Sequence, residues 1–251
     1  MIKEKPYKMI KDGMTKILIL VLLTSTFSSC KIAHSLIELN KKKAKVYSFK
    51  FENKDIKYIP LHHIGKNEFY ENLKSKVVDF KTAGYIVFFE QISTEFTTDS
   101  LLKDTIRRKV RKIKGFSGTY KEATEDTYFK KYVQQPSYQD LGVDSNDIRA
   151  DVDYLQFINE WEKVNGVIIL DSVDFNTSFN EKFNKGVFYT NKQYKRIVID
   201  FRNDFLINKI KANDNKKILI LYGEGHRKNF KKKLKNQRSE NKTLSLMPKN
   251  N

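Results

Sequence analysis

Two apolar runs, each followed by a short polar turn and then a helical pattern, dominate the hydrophobic pattern of the chain. The first run, residues 56–61, reads as a strand that ends at His62-His63-Ile64-Gly65, ahead of an amphipathic helix over 68–83. The second run, 218–222, ends at Gly223-Glu224-Gly225-His226 ahead of a basic segment. The pattern predicts an α/β fold: a mixed central β-sheet flanked by helices, with two strand-turn-helix halves that each place a histidine at a strand end.

The remaining periodic segments fill in this outline. The pattern predicts a first hairpin strand at 45–51 and a fully buried strand at 85–89 that ends at Glu90. It also predicts helices over 101–113, 148–164 and 197–212, and a short strand over 167–173.

The first thirty residues are typical of a secretory signal rather than of a fold. A basic start precedes the apolar run 17–23 and the small residues before Cys30, and this run is too short to span a membrane. Phe27-Ser28-Ser29-Cys30 resembles a bacterial lipobox, so we predict a lipoprotein signal peptide at 1–29 and lipidation of Cys30. Acyl chains there would bind membrane lipid and anchor the protein.

The predicted anchor sets the domain organisation and the location. Residues 30–44 are predicted to be a lipid-anchored tether, 45–237 the α/β domain and 238–251 a disordered polar tail. No acidic cluster follows Cys30, which favours an outer-membrane anchor that faces the periplasm of a bacterial cell envelope. Cys30 is the single cysteine of the chain, so a disulfide within the chain is excluded.

The formal charge of +18 raises the question of nucleic acid. The lysines are spread along the whole chain and no groove-reading motif accompanies them, so nucleic-acid binding is unlikely. A lysine-rich surface that faces anionic lipid or polysaccharide is the simpler interpretation.

The candidate chemistry lies at the predicted strand ends, where open α/β sheets bind ligands. His63, Glu90 and His226 each follow a predicted strand. Two imidazoles and a carboxylate can ligate a divalent metal and leave positions open for water. Each residue also has a simpler role, because a strand-end histidine is commonly a surface residue and Glu90 can cap a helix.

Neighbouring residues extend this hypothesis. Glu224 is a candidate further ligand or general base. Gly223 and Gly225 would let the backbone turn sharply and approach a ligand closely, and Gly65 follows the first histidine turn. His62 alternates with His63 and is expected on the opposite face.

The order of these segments resembles the TraB/GumN superfamily, which includes the Tiki proteases. Over about residues 45–237, the matching segments are Tyr58–Gly65, Tyr85–Glu90, Ile199–Asp204 and Ile218–His226. The resemblance implies that His63 and His226 are paired metal ligands, that Glu90 is their acidic partner, and that Arg202 orients carboxylates or substrate. Pro60 stands where the family has its first motif glycine, so the first turn is built differently.

Together with the lipobox, the resemblance implies a lipid-anchored metal-dependent hydrolase or peptidase that acts on a peptide or small-molecule substrate, with Glu90 and Arg202 as catalytic residues. Glu224 joins them as the candidate that its position beside His226 suggests. Zinc, manganese, cobalt and iron all suit such a ligand set. Two alternatives stay open: a non-catalytic haem-, metal- or small-ligand-binding lipoprotein of the same fold, and a basic envelope scaffold.

Overall fold

The structure, a computed structural model, describes residues 39–114, 131–181, 183, 186, 187 and 189–245. The chain divides into two compact units, residues 1–41 and 42–251. Of the first unit, the structure describes residues 39–41 alone. The predicted signal peptide and Cys30 lie outside the described residues. Ala44 is buried and its N–H donates to Asn72 Oδ1 at 3.0 Å, so the packed unit begins before residue 45, where the sequence placed the end of the tether.

Five strands form the central sheet in the order β1-β2-β7-β4-β6. The described strands are β1 (Tyr47–Phe51), β2 (Lys54–Leu61), β3 (Ile64–Gly65), β4 (Ile86–Phe89), β5 (Val133–Gln134), β6 (Ile148–Arg149) and β7 (Lys217–Gly223). Within this five-stranded sheet, only β1 runs antiparallel to its neighbour, whereas β2, β7, β4 and β6 are mutually parallel. The two short strands β3 and β5 pair with each other beside the sheet.

Helices surround this sheet, which confirms the predicted mixed α/β fold. They are α1 (Asn67–Thr82), α2 (Ser100–Lys114), α3 (Tyr154–Asn165), α4 (Ser172–Asn176), α5 (Asn191–Tyr194), a π-helix (Lys195–Phe201), α6 (Arg202–Lys211) and α7 (Glu224–Ser245). Among the described residues, none of these helices combines the length and the apolar character needed to cross a membrane.

Both faces of the sheet are buried, as the continuous apolar run of β4 predicts. Ile218, Ile220 and Tyr222 share one face with side chains from α6 and α7. Leu219 and Leu221 share the opposite face with side chains from α1. Because side chains alternate along a strand, β7 connects the two core layers.

A third apolar cluster lies around α2, α3 and the π-helix. Trp161 of α3 packs there with Ile106 and Val110 of α2 and with Ile197 of the π-helix, and all four are buried. This cluster supports the helix that carries Arg202, since the π-helix leads directly into α6.

Three local predictions are wrong or misplaced. The segment from Ile148 begins as strand β6, and helix α3 starts only after the capping box of Asp153. Residues 167–173 form no strand, because Asp171 caps the short helix α4, and Val167 and Ile169 face solvent. Helix α7 continues to Ser245, so the predicted domain boundary at residue 237 falls inside it.

The central position of β7 leads to a stability prediction. We expect Ile220→Ala to lower the free energy of unfolding by about 2–5 kcal/mol, because Ile220 is fully buried and its loss leaves a cavity. The matched control is Val78→Ala on α1, where the side chain is 50% exposed and the expected change is within about 1 kcal/mol. Urea denaturation of both variants measures the difference, and equal losses would contradict a core centred on β7.

Candidate functional site at the sheet edge

The parallel strands bring their carboxyl ends to one edge of the sheet. Leu61 of β2 lies opposite Gly223 of β7, and Phe89 of β4 lies opposite both Leu221 and Arg149. The residues that follow these strands therefore share one edge, as predicted for Glu90 and His226. The first turn of α7 begins at this edge, directly after β7.

Arg202, the first residue of α6, is the centre of a buried charged cluster at this edge. Its guanidinium donates to Asp151 twice, from Nε to Oδ1 at 2.9 Å and from Nη2 to Oδ2 at 2.5 Å. Nη2 also donates to Glu90 Oε1 at 2.6 Å, and Nη1 lies 3.4 Å from His226 Nε2. We call Arg202, Asp151, Glu90, His226 and Asn203 the edge cluster.

The hydrogen bonds of the edge cluster fix the tautomer of His226. Asp200 can only accept, so Asn229 Nδ2 donates to it and Asn229 Oδ1 accepts from Asn203 Nδ2. Asn203 Oδ1 then accepts from Nδ1–H of His226 at 3.0 Å. The other ring nitrogen, Nε2, consequently presents its lone pair to Arg202, which can only donate.

The electrostatics of the cluster agree with this assignment. Burial, together with the neighbouring Arg202 charge, lowers the pKa of His226 to about 4, so the ring is neutral at pH 7. Burial would raise the pKa of Glu90, but the charge of Arg202 and the Gly223 N–H outweigh it and lower that pKa. Burial would lower the pKa of Arg202, yet Asp151 and Glu90 raise it, so the guanidinium stays charged.

Gly223 permits the carboxylate of Glu90 to come close to the start of α7. Its N–H donates to Glu90 Oε2 at 2.5 Å, and a Cβ at this position would lie 3.1 Å from the same oxygen. A carboxylate at a helix N-terminus is stabilised by the helix dipole. At Gly225 a Cβ would meet only Ile199 Cδ1 at 3.7 Å, an ordinary contact, so that glycine is not required by space.

Tyrosine hydroxyls hold the carboxyl ends of all four parallel strands. In each case the hydroxyl donates to a carbonyl at or directly after the strand end: Tyr70 to His62, Tyr138 to Glu90, Tyr222 to Ala150 and Tyr58 to Gly223. Burial raises the pKa of all four tyrosines, so these donors stay neutral. The strand ends are therefore held by side chains as well as by the sheet.

Two of the predicted ligand or catalytic residues, and the turn glycine Gly65, lie outside the edge cluster. The side chain of His63 is exposed, and its carbonyl accepts from the Gln135 N–H next to β5. Glu224 forms an ion pair with Arg227, one turn along α7, with Nη2–Oε1 at 2.5 Å. Gly65 is buried in β3, where a Cβ would lie 3.2 Å from the hydroxyl of Tyr70.

The donor set fits a metal ion only in part. His226 Nε2 and Glu90 Oε1 are 3.5 Å apart, close to the spacing of about 3.4 Å that two ligands of one tetrahedral ion adopt. Within the described residues, however, no group of three or more His, Cys, Asp and Glu is placed to hold a metal ion. The Arg202 cation already contacts both donors, so the edge cluster does not fit a resident metal without a further ligand.

Asp151, Asn203 and Asn229 belong to the site, but sequence reasoning assigned no role to them. Asp151 follows β6, and a strand assignment at Ile148 would have placed it at the sheet edge. The signal was the Asp153-to-Gln156 capping box, which marks the true start of α3. Nothing in the local sequence pairs Asn203 with Asn229, which are brought together by the packing of α6 against α7.

A polar cavity of about 410 Å³ lies at the other end of the Asn203–Asn229 connection. Both signs of charge line it: the cations are Arg196, Lys232 and Lys233, and the carboxylates are Glu160, Asp200 and Asp204. Lys233 is paired with Asp204 at 2.6 Å. The side chains of Arg196 and Lys232 make no hydrogen bond or ion pair with another described residue, so the cavity offers two available cations.

The two glycines of the second motif provide a matched test of the edge cluster. We expect Gly223→Ala to lower the free energy of unfolding by about 1–3 kcal/mol, because the new Cβ displaces a carboxylate locked by Arg202. Gly225→Ala adds a methyl group where space exists and should be neutral or stabilising by up to about 1 kcal/mol. Thermal denaturation compares them, and a reversed order would show that Gly223 is not a close-approach position.

The neutral His226 predicts a dependence of stability on pH. The pKa of its ring falls from 6.5 to about 4 on folding. Between these values the unfolded chain takes up a proton that the folded chain does not, so the free energy of unfolding falls as the pH falls. The expected loss over this window is roughly 3 kcal/mol, measured by denaturant titration at several pH values.

Histidine variants separate this effect from general acid sensitivity. His226→Gln should lose most of the pH dependence between 6.5 and 4, whereas His63→Gln, at an exposed ring, should keep it. Equal pH dependence in the two variants would mean that His226 is not the group responsible.

Comparison of the chain with protein-family models, curated proteins and solved structures finds no match. The resemblance to the TraB/GumN superfamily therefore stays a prediction from the sequence.

Proposed function

We propose that this chain is a lipid-anchored protein of the bacterial cell envelope that binds a small anionic ligand and carries out no catalysis. The observation that carries this proposal is the position of Arg202. Its guanidinium contacts Glu90, Asp151 and His226, the groups on which a hydrolytic site at this edge would depend.

The protonation states of the edge cluster support a non-catalytic role. A general base works best when its pKa lies near the working pH. Glu90 has a lowered pKa, and His226 has a pKa of about 4 with its lone pair facing Arg202. At neutral pH both groups are weak bases, so the cluster is suited to holding the sheet edge rather than to moving protons.

The polar cavity supports the binding part of the proposal. Arg196 and Lys232 can pair with a phosphate or carboxylate group. Asp200 and Glu160 can accept hydrogen bonds from hydroxyl groups of the same ligand, and Phe201 offers an aromatic surface. About 410 Å³ is enough for a sugar phosphate or a compound of similar size.

A titration with glucose 6-phosphate tests this proposal. We expect saturable binding in calorimetry and a Kd raised by roughly tenfold or more in Arg196→Gln, because a charge-assisted hydrogen bond is lost. Lys231→Gln, an exposed lysine of α7 outside the cavity lining, is the matched control and should bind like wild type. Equal weakening in both variants, or no saturable binding at all, would contradict the proposed cavity.

A metal-dependent hydrolase is the second candidate, since the spacing of His226 Nε2 and Glu90 Oε1 suits two ligands of one ion. Zinc titration of wild type and His226→Gln separates the two candidates. The first proposal expects no saturable zinc binding that depends on His226. Binding of about one zinc ion by wild type alone would favour the hydrolase and supply the reason for a peptide substrate screen.

A further inference from the structure

The segment of residues 167–175, which we call the apolar loop, displays four large apolar side chains to solvent. Their exposed fractions are 74% for Val167, 78% for Ile169, 42% for Val173 and 53% for Phe175. Single exposed apolar residues are ordinary, but four within nine residues indicate a surface that contacts something apolar.

Buried residues that alternate with these four side chains hold them toward solvent. Ile168 is buried in the cluster around Trp161. Asp174 is fully buried and accepts from Asp171 N–H at 2.8 Å, and the ammonium of Lys112 pairs with the same carboxylate. Lys112 Nζ also donates to Ile169 O at 2.9 Å. With these inward positions occupied, the alternating apolar side chains are held outward.

Cations lie beneath and beside the apolar loop. Arg108 donates to Phe175 O, and Arg111 donates to Thr177 O at 2.8 Å. Arg107 is exposed and lies over the ring of Phe179, and the side chain of Lys163 is 75% exposed. The acidic residue of the loop, Asp171, is engaged by Lys112 and by the N–H groups of α4. Asp104 is paired with Arg108, and Glu160 lies 3.7 Å from Lys163, which leaves the exposed guanidinium of Arg107 available to an anionic partner.

Helix α2 extends the same surface. Leu101 is 76% exposed and lies seven residues before Arg108, so both are on one face of α2. Exposed aliphatic side chains bordered by arginine and lysine are the composition of segments that lie in a membrane interface.

We propose that the apolar loop inserts into the headgroup region of an anionic lipid bilayer. Anionic lipid complements the exposed cations and the net charge of +15 that remains when residues 1–29, with five lysines and two acidic residues, are removed from the +18 total. A second copy of the chain would bring like charges together and is the less favourable occupant. The inference rests on the membrane location in the proposed function and is independent of the ligand cavity.

Quenching of tryptophan by brominated lipid tests the insertion directly. The full chain is bound to vesicles of phosphatidylglycerol and dibrominated phosphatidylcholine, with non-brominated vesicles for comparison. The native Trp161 is 2% exposed and supplies the baseline. In Ile169→Trp the additional emission should be lost in brominated vesicles, and this loss should shrink when phosphatidylcholine replaces phosphatidylglycerol.

The control is Val78→Trp, at a half-exposed position of α1 outside the loop, whose added emission should survive. Equal quenching of both variants, or none for Ile169→Trp on bound protein, would overturn the insertion. Shielding of the added tryptophan without lipid, together with a dimer in sedimentation, would assign the surface to a second copy instead. Absence of vesicle binding in every variant would overturn the membrane location too, whereas the sugar-phosphate titration would still report on the cavity alone.

Discussion

A single guanidinium sets the arrangement of the sheet edge. Arg202 joins Glu90 after β4, Asp151 after β6 and His226 in the first turn of α7, so three separate segments share one buried cation. Burying such charges is costly, and removal of one partner from a buried ion pair typically costs about 3–5 kcal/mol. The Gly223 N–H donates to Glu90, and Asn203, which is held by Asn229, accepts the Nδ1–H of His226. The same cluster that stabilises the edge keeps the imidazole of His226 neutral at pH 7 and lowers the pKa of Glu90.

Much of this frame could be predicted from apolar periodicity. The continuous run at 85–89 indicated a strand buried on both faces, and the structure places it as β4, between β7 and β6, with side chains in both core layers. The placement of Glu90 and His226 at one edge followed from the same pattern, because parallel strands end together. What periodicity could not supply was the partner between them. The family resemblance alone assigns a role to Arg202, and its bidentate contact with Asp151 spans 51 residues of sequence.

The wrong predictions for the segments from Ile148 and over 167–173 have a common physical origin in helix capping. Asp153 and Asp171 each form a capping box that starts a helix. The residues before Asp153 were predicted as helix, and the residues around Asp171 were predicted as strand. A strand over 167–173 would have needed a pairing partner, whereas the buried Asp174 holds this segment against α2 through Lys112. His63 stands after β2 as predicted, yet the β3–β5 pairing carries the backbone on with its side chain exposed. The spacing of residues along a strand does not predict the path of the backbone after the strand ends.

The four tyrosine hydroxyls at the strand ends separate the frame of the site from the loops that follow it. Each terminal carbonyl is bound from the side by a residue of another segment, so its position does not depend on the sequence of the loop that continues from it. Insertions or exchanges in those loops can then change the chemistry presented above the edge while the strand ends keep their places. Such an edge can tolerate changes of loop sequence during evolution, because new loops would follow strand ends that are already held in place.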